Sequence, residues 1–207
     1  MPRQNHRIRQ RFDRRRLFFT SIAAIALISA LLIFGCGKMS GGNSIHVKSA
    51  TTTDKDLPVK SSYAFAVAKT FTDINNKITT ASAYNVYVAN YDLDANNFKM
   101  TMDKPLTSDD QVRVVFSLIG DEGTNDKSPP KAGTYSAKAD KFMKVESAGL
   151  VARKGGADAK SWLDRSMLSG EVKVSSASAD EISGDVDLTS GETSIKGSFT
   201  AKVLKRK

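Results

Sequence analysis

Hydrophobic and polar positions follow three regimes along this chain. From Leu17 to Phe34 nearly every residue is apolar. From Gly37 to Lys60 the chain is mostly polar and has no apolar period. From Ser61 onward, apolar residues recur at every second position, the spacing of half-buried strands. Tyr63, Phe65 and Val67 alternate with alanines, and Phe71 continues the row. Tyr84, Val86 and Val88 form the next row, with Tyr87 and Tyr91 on the opposite parity. Phe98, Met100 and Met102 alternate with Lys99, Thr101 and Asp103. Val112, Val114, Phe116 and Leu118 predict a strong central strand; Arg113, Val115 and Ser117 on its other side suggest cover on both faces.

Turn chemistry predicts an exposed loop over Asp121 to Pro130. Gly133-Thr134-Tyr135 leads into another strand, Phe142 to Val151 holds one or two more, and Gly155-Gly156 marks a turn. Ser161 to Arg165 fits either a helical turn or the lead-in to a strand. The last forty residues repeat one template, apolar-polar-Gly-polar-apolar-polar-apolar. It appears at Leu168–Val174, Ile182–Leu188 and Ile195–Ala201. Short polar links between the copies predict an antiparallel three-strand meander with one buried and one wet face. The template glycines lie on the apolar parity, where glycine permits bending or close packing. If Leu188 pairs with Ile195, Gly184 faces Phe199, Gly197 faces Val186, and Asp187 meets Lys196 on the wet face.

The first sixteen residues carry seven arginines and one aspartate. A basic head before an apolar run is an export signal, with the basic end retained in the cytoplasm. The run ends in Ile33-Phe34-Gly35-Cys36, which resembles the lipobox of bacterial lipoproteins: an aliphatic residue, then a small one immediately before cysteine. Phe34 departs from the pattern, where a small residue is commoner. The resemblance implies a diacylglyceryl thioether on Cys36, cleavage before it and acylation of the new amine. It covers only the leader. An uncleaved anchor helix is the competing reading, since about 18 apolar residues nearly span a bilayer. Arg15-Arg16-Leu17-Phe18-Phe19 also resembles a twin-arginine signal. The strand template over roughly residues 130 to 203 resembles that of small β-rich exported lipoproteins, several families of which have no assigned activity.

Composition changes the picture in two places. Of the net charge of +9, the head supplies +6, leaving +3 for the rest. The basic balance therefore does not indicate nucleic-acid binding. What remains sits largely in Lys202, Lys205, Arg206 and Lys207, read as a solvated chain end with lipid or glycan contact as the alternative. Cys36 is the only cysteine, so no disulfide framework exists.

Candidate chemistry is sparse. Asp92, Asp94, Asn96 and Asp103 have the 1-3-5-12 oxygen spacing of a Ca²⁺ loop. Asn97 replaces the usual glycine, Asp103 is shorter than glutamate, and the flanks read as strands, so a hairpin loop is preferred. Asp121, Glu122 and Asp126 form another acidic loop. His46, the only histidine after the leader, falls in the expected tether, which argues against a serine–histidine or cysteine–histidine pair. Ser128-Pro129-Pro130-Lys131 matches a serine-x-x-lysine motif in letters only. Tyr84, Tyr87, Tyr91 and Trp162 are candidates for a ligand face, with core packing as the plainer role.

The resulting expectation is an all-β protein, an antiparallel sandwich or barrel with a C-terminal three-strand meander. Residues 1–35 are the signal helix, 36–60 the lipidated cysteine and a flexible tether, and 61–207 one β-rich domain. It is expected to be anchored through lipid on Cys36 in the cell or outer membrane of a bacterium, with the domain outside the cytoplasm. It is read as a non-catalytic binding or structural module. No cofactor, metal or nucleic acid is expected; an envelope protein or glycan is the expected partner. The alternatives are a carrier with an apolar interior lined by Phe65, Phe116 and Phe199, and a carboxylate hydrolase of envelope polymer.

Overall fold

The computed structural model describes residues 43–49, 53–96 and 104–205. The leader, Cys36, the Phe98–Met102 row and Asp103 lie outside the described residues. All regular structure among the described residues is strand. Eleven strands form one mixed sheet: β1 (Ser44–Ser49), β2 (Thr53–Pro58), β3 (Ser61–Thr72), β4 (Ile78–Ala89), β5 (Val112–Glu122), β6 (Gly133–Ser136), β7 (Lys144–Lys154), β8 (Ala157–Trp162), β9 (Ser169–Ala177), β10 (Glu181–Ser190) and β11 (Thr193–Leu204).

The pairings divide into two antiparallel leaves. One has six strands in the order β6-β9-β10-β11-β1-β2; the other has five, β3-β4-β5-β7-β8. Two short parallel pairings join them. Tyr63 to Phe65 pairs with Lys202 to Leu204, and Ser136 pairs with Lys144. The sheet is therefore mixed, which corrects the expectation of a wholly antiparallel one. The two parallel contacts join strands of different leaves, whose relative direction no hairpin sets.

A single core cluster draws from both leaves. Phe116 and Phe199 meet edge to face at 5.1 Å, and Tyr84, Val114, Tyr135, Val172 and Leu188 are buried in the same cluster. Leu163 and Leu168 from the β8–β9 link join it, so Ser161 to Arg165 is a strand end followed by a turn.

The expected tether is partly sheet. Residues 44–49 and 53–58 form β1 and β2, with Ile45, Val47 and Leu57 at most 1 % exposed. Their polar neighbours hide the period: Ser44, His46 and Lys48 alternate with Ile45, Val47 and Ser49, and β2 buries only Leu57 of its visible side chains. The β domain therefore begins near residue 43, not 61.

The meander has the expected register. Leu188 pairs with Ile195, Gly184 with Phe199 and Gly197 with Val186, and Lys196 Nζ lies 2.9 Å from Asp187. The glycines, however, are explained by neighbouring backbone more than by Phe199. A Cβ on Gly197 would strike the Ser44 carbonyl of β1, and Gly197 has φ +138°. A Cβ on Gly184 would strike the Lys173 carbonyl of β9, beside a β-bulge. Gly197→Ala is expected to cost about 2–4 kcal/mol, combining overpacking with backbone strain. Urea unfolding of the variant checks this; an unchanged midpoint would mean that β1 yields without cost.

Candidate functional site

The two leaves present opposite outer faces. On the six-strand leaf, Asp56, His46, Lys196, Asp187 and Glu171 lie side by side across β2, β1, β11, β10 and β9. His46 lies 3.2 Å from Asp54 and 2.9 Å from Asp56. These pairs are exposed, and each contributes at most about 1 kcal/mol.

The corresponding row of the five-strand leaf is Tyr63, Tyr87, Val115, Gly149 and Trp162, across β3, β4, β5, β7 and β8. Phe65 stacks on Tyr87 at 5.7 Å, and Ala89, Tyr91 and Leu93 complete this cluster. Trp162 lies across Gly149, where a Cβ would meet its ring, yet remains 59 % exposed. Arg113 donates to the Tyr91 hydroxyl at 3.1 Å and is itself buried. Burial raises the Tyr91 pKa, and the Arg113 charge opposes the shift. Farther along β3, Val67 and Phe71 pack with Ala81, Ala83, Ile119 and Phe142. Lys69 and Glu146 form an ion pair on the same face, and burial, then Arg165 and Lys144, lower the Lys69 pKa.

At the end of the domain beyond β11, the loop after β5 is held from inside. Tyr84 donates its hydroxyl to the Ser128 carbonyl, and Tyr135 donates to the Lys131 carbonyl at 2.9 Å. Beside this loop a cleft of about 410 Å³ opens between β3 and the end of β11, lined by Ala66, Ser128, Pro130, Ala179, Val203 and Leu204, with Asp126, Lys127 and Lys205 among its charged groups.

The sequence candidates separate accordingly. Tyr84 faces the core, whereas Tyr87 and Tyr91 lie on the outer face of the five-strand leaf, as their parity predicts, and Trp162 lies on that face too. Phe116 and Phe199 line the interior, but Phe65 does not. At the seam with β11, the small Ala64 and Ala66 turn inward beside a core that Phe116 and Phe199 occupy, so the large residues of β3 face outward.

Asp94 accepts from the Asn96 amide at 2.9 Å, and Leu93 of the same loop is buried. No group of three metal-ligating acids, histidines or cysteines occurs among the described residues, so Asp92, Asp94 and Asn96 are not joined there by a further carboxylate. Asp121 ends in an ion pair with Lys131 at 2.7 Å, which engages the lysine of the serine-x-x-lysine match. Lys205 of the basic tail pairs with Asp180 at 2.9 Å, and this hydrogen bond holds the Asp180 carboxyl below its usual range. Arg206 and Lys207 lie outside the described residues.

Comparison with protein-family models, curated proteins and solved structures found no match. The cleft was not legible in the sequence, because it arises where β3 outruns β11 and neither strand's pattern records the other's end.

Burial pushes the Tyr135 hydroxyl up to about 12 from 10.0. The folded pKa exceeds the unfolded one, so its stabilising effect is complete below pH 10 and is lost as pH rises toward about 12. Tyr135→Phe is expected to lose about 1 kcal/mol at neutral pH, from the missing hydrogen bond to Lys131. Its stability is then expected to fall less steeply in that alkaline window. Denaturation midpoints across the window check both effects; parallel curves for the two proteins would contradict the second.

Proposed function

We propose that this protein is an exported, lipid-anchored envelope lipoprotein whose β domain is a non-catalytic binding or structural module. Ile33-Phe34-Gly35-Cys36 carries the anchor. Seven residues, 37 to 43, separate Cys36 from β1. At about 3.6 Å per residue, the span from Cys36 to Ser44 is at most roughly 30 Å. A domain so tied works within reach of the lipid surface. Gly37 leans the destination toward an outer membrane where the cell has one, because it is not the acidic residue that retains some lipoproteins at the inner one.

The contrast between the outer faces supports the binding half of the reading. One face is charged, while the other carries Tyr63, Phe65, Tyr87, Tyr91 and Trp162. Aromatic residues are enriched at the centres of protein interfaces. In shape, we read the two leaves and their seams as a flattened barrel. Its interior is filled by side chains such as Phe116 and Phe199, which disfavours an internal carrier and leaves the 410 Å³ cleft as the space for an apolar ligand.

Intact mass of the protein from its native membrane tests the anchor. The expected chain begins at Cys36 and carries added acyl mass, and Cys36→Ala lacks both cleavage and acylation. An unprocessed wild-type mass, with the variant equally membrane-bound, would instead leave Leu17 to Phe34 as a permanent span.

A further inference from the structure

Sheet edges expose backbone donors and acceptors that template further pairing, so proteins blunt them with charge, proline or shortness. β2 does so with Asp54, Lys55, Asp56 and Pro58, and β8 has six residues with Asp158 and Lys160. β3 does not. It pairs with β4 along its whole length, but its other edge pairs with β11 only from Tyr63 to Phe65. From Ala66 to Thr72, no strand among the described residues pairs with that edge. The stretch reads Ala-Val-Ala-Lys-Thr-Phe-Thr, and its one charge, Lys69, is turned to Glu146.

Two further observations fall on the same arm. The inward-parity residues Ala68, Thr70 and Thr72 are exposed, so this half of the β3–β4 hairpin extends beyond the shared core. Its tip is a built turn: Asp73 accepts from the Asn75 amide at 2.8 Å and the Lys77 amide at 2.9 Å. That turn holds Ile74 98 % exposed, with Ile78 beside it 66 % exposed. The cleft at the foot of the open edge begins at Ala66 and continues the line of β11 past Leu204.

We infer that the Ala66–Thr72 edge of β3 is a strand-addition site for an extended segment of a partner protein. The added strand takes up the line that β11 leaves, and its backbone satisfies the open edge. The cleft floor of Ala66, Ala179, Val203 and Leu204 accepts one aliphatic side chain. Main-chain bonds supply affinity and the pocket supplies selectivity, as in other strand-addition complexes. This deepens the binding-module reading and does not depend on the anchor. A chain that proves unlipidated yet binds as described would remove the anchor and leave this inference standing.

The test pans a library of short random displayed peptides on the full chain in detergent, then synthesises the enriched peptides. The expected peptides have aliphatic residues at alternate positions and slow amide exchange across residues 66–72. N-methylation at alternate peptide amides is expected to weaken them at least about tenfold. Ala179→Trp, at an exposed turn position, should narrow the cleft and weaken them similarly while leaving the thermal midpoint unchanged. Failure to enrich any peptide, protection elsewhere, or indifference to N-methylation overturns the inference. Concentration-dependent self-association that protects the same amides overturns it too, by making a second copy the occupant. Insertion of the Ile74 tip into phospholipid vesicles, without any peptide that protects the edge, would assign the arm to lipid.

Discussion

The divided edge of β11 is the constraint on which the rest depends. One side of β11 is paired with β10 from Thr193 to Lys202. The other side serves two strands in succession, β1 along Ser194 to Ser198 and β3 along Lys202 to Leu204. A strand has only two edges, so β1 and β3 must share. β1 departs where β3 arrives, and the two leaves are joined at that point. Gly197 sits on the β1 stretch because the β1 backbone occupies the place of a side chain. The small Ala64 follows from the same junction, because β3 is hydrogen-bonded there and its inward residue lies under the core.

That junction also explains why the outer faces differ. With Phe116, Phe199, Tyr84 and Tyr135 filling the interior, β3 has no room to place its large residues inward. They turn outward and form aromatic clusters with β4 and β5, while the meander keeps its glycine and aliphatic parity inward and its charges outward. The cleft and the open arm have the same origin. β11 stops at Leu204, β3 continues to Thr72, and the difference in length is bounded by a loop that Tyr84 and Tyr135 hold from inside.

Legibility differed by element, for identifiable reasons. The C-terminal register could be read because short hairpins fix it: once Leu188 meets Ile195, every later pair follows. β5 was legible as covered on both faces from Arg113, Val115 and Ser117; Arg113 and Ser117 are buried and Val115 is half-buried. β1 and β2 were missed because a six-residue strand with three buried positions, or with Leu57 alone among the described side chains, leaves a signal no stronger than a polar linker. On β3 the alternation was correctly read, but Phe65, which the carrier reading places in the interior, faces outward. Period two says that the faces differ and does not say which one is the core.

The sequence by itself determined the all-β class, the meander and its register, and the opposite facing of Tyr84 and Tyr87. These are local properties, set by side-chain period and hairpin length. Only the tertiary structure decided the start of the domain near residue 43, the two parallel seams, the outward turn of Tyr63 and Phe65, and the open edge of β3. Each of these depends on where a strand distant in the chain begins or ends, and a local pattern carries no record of that.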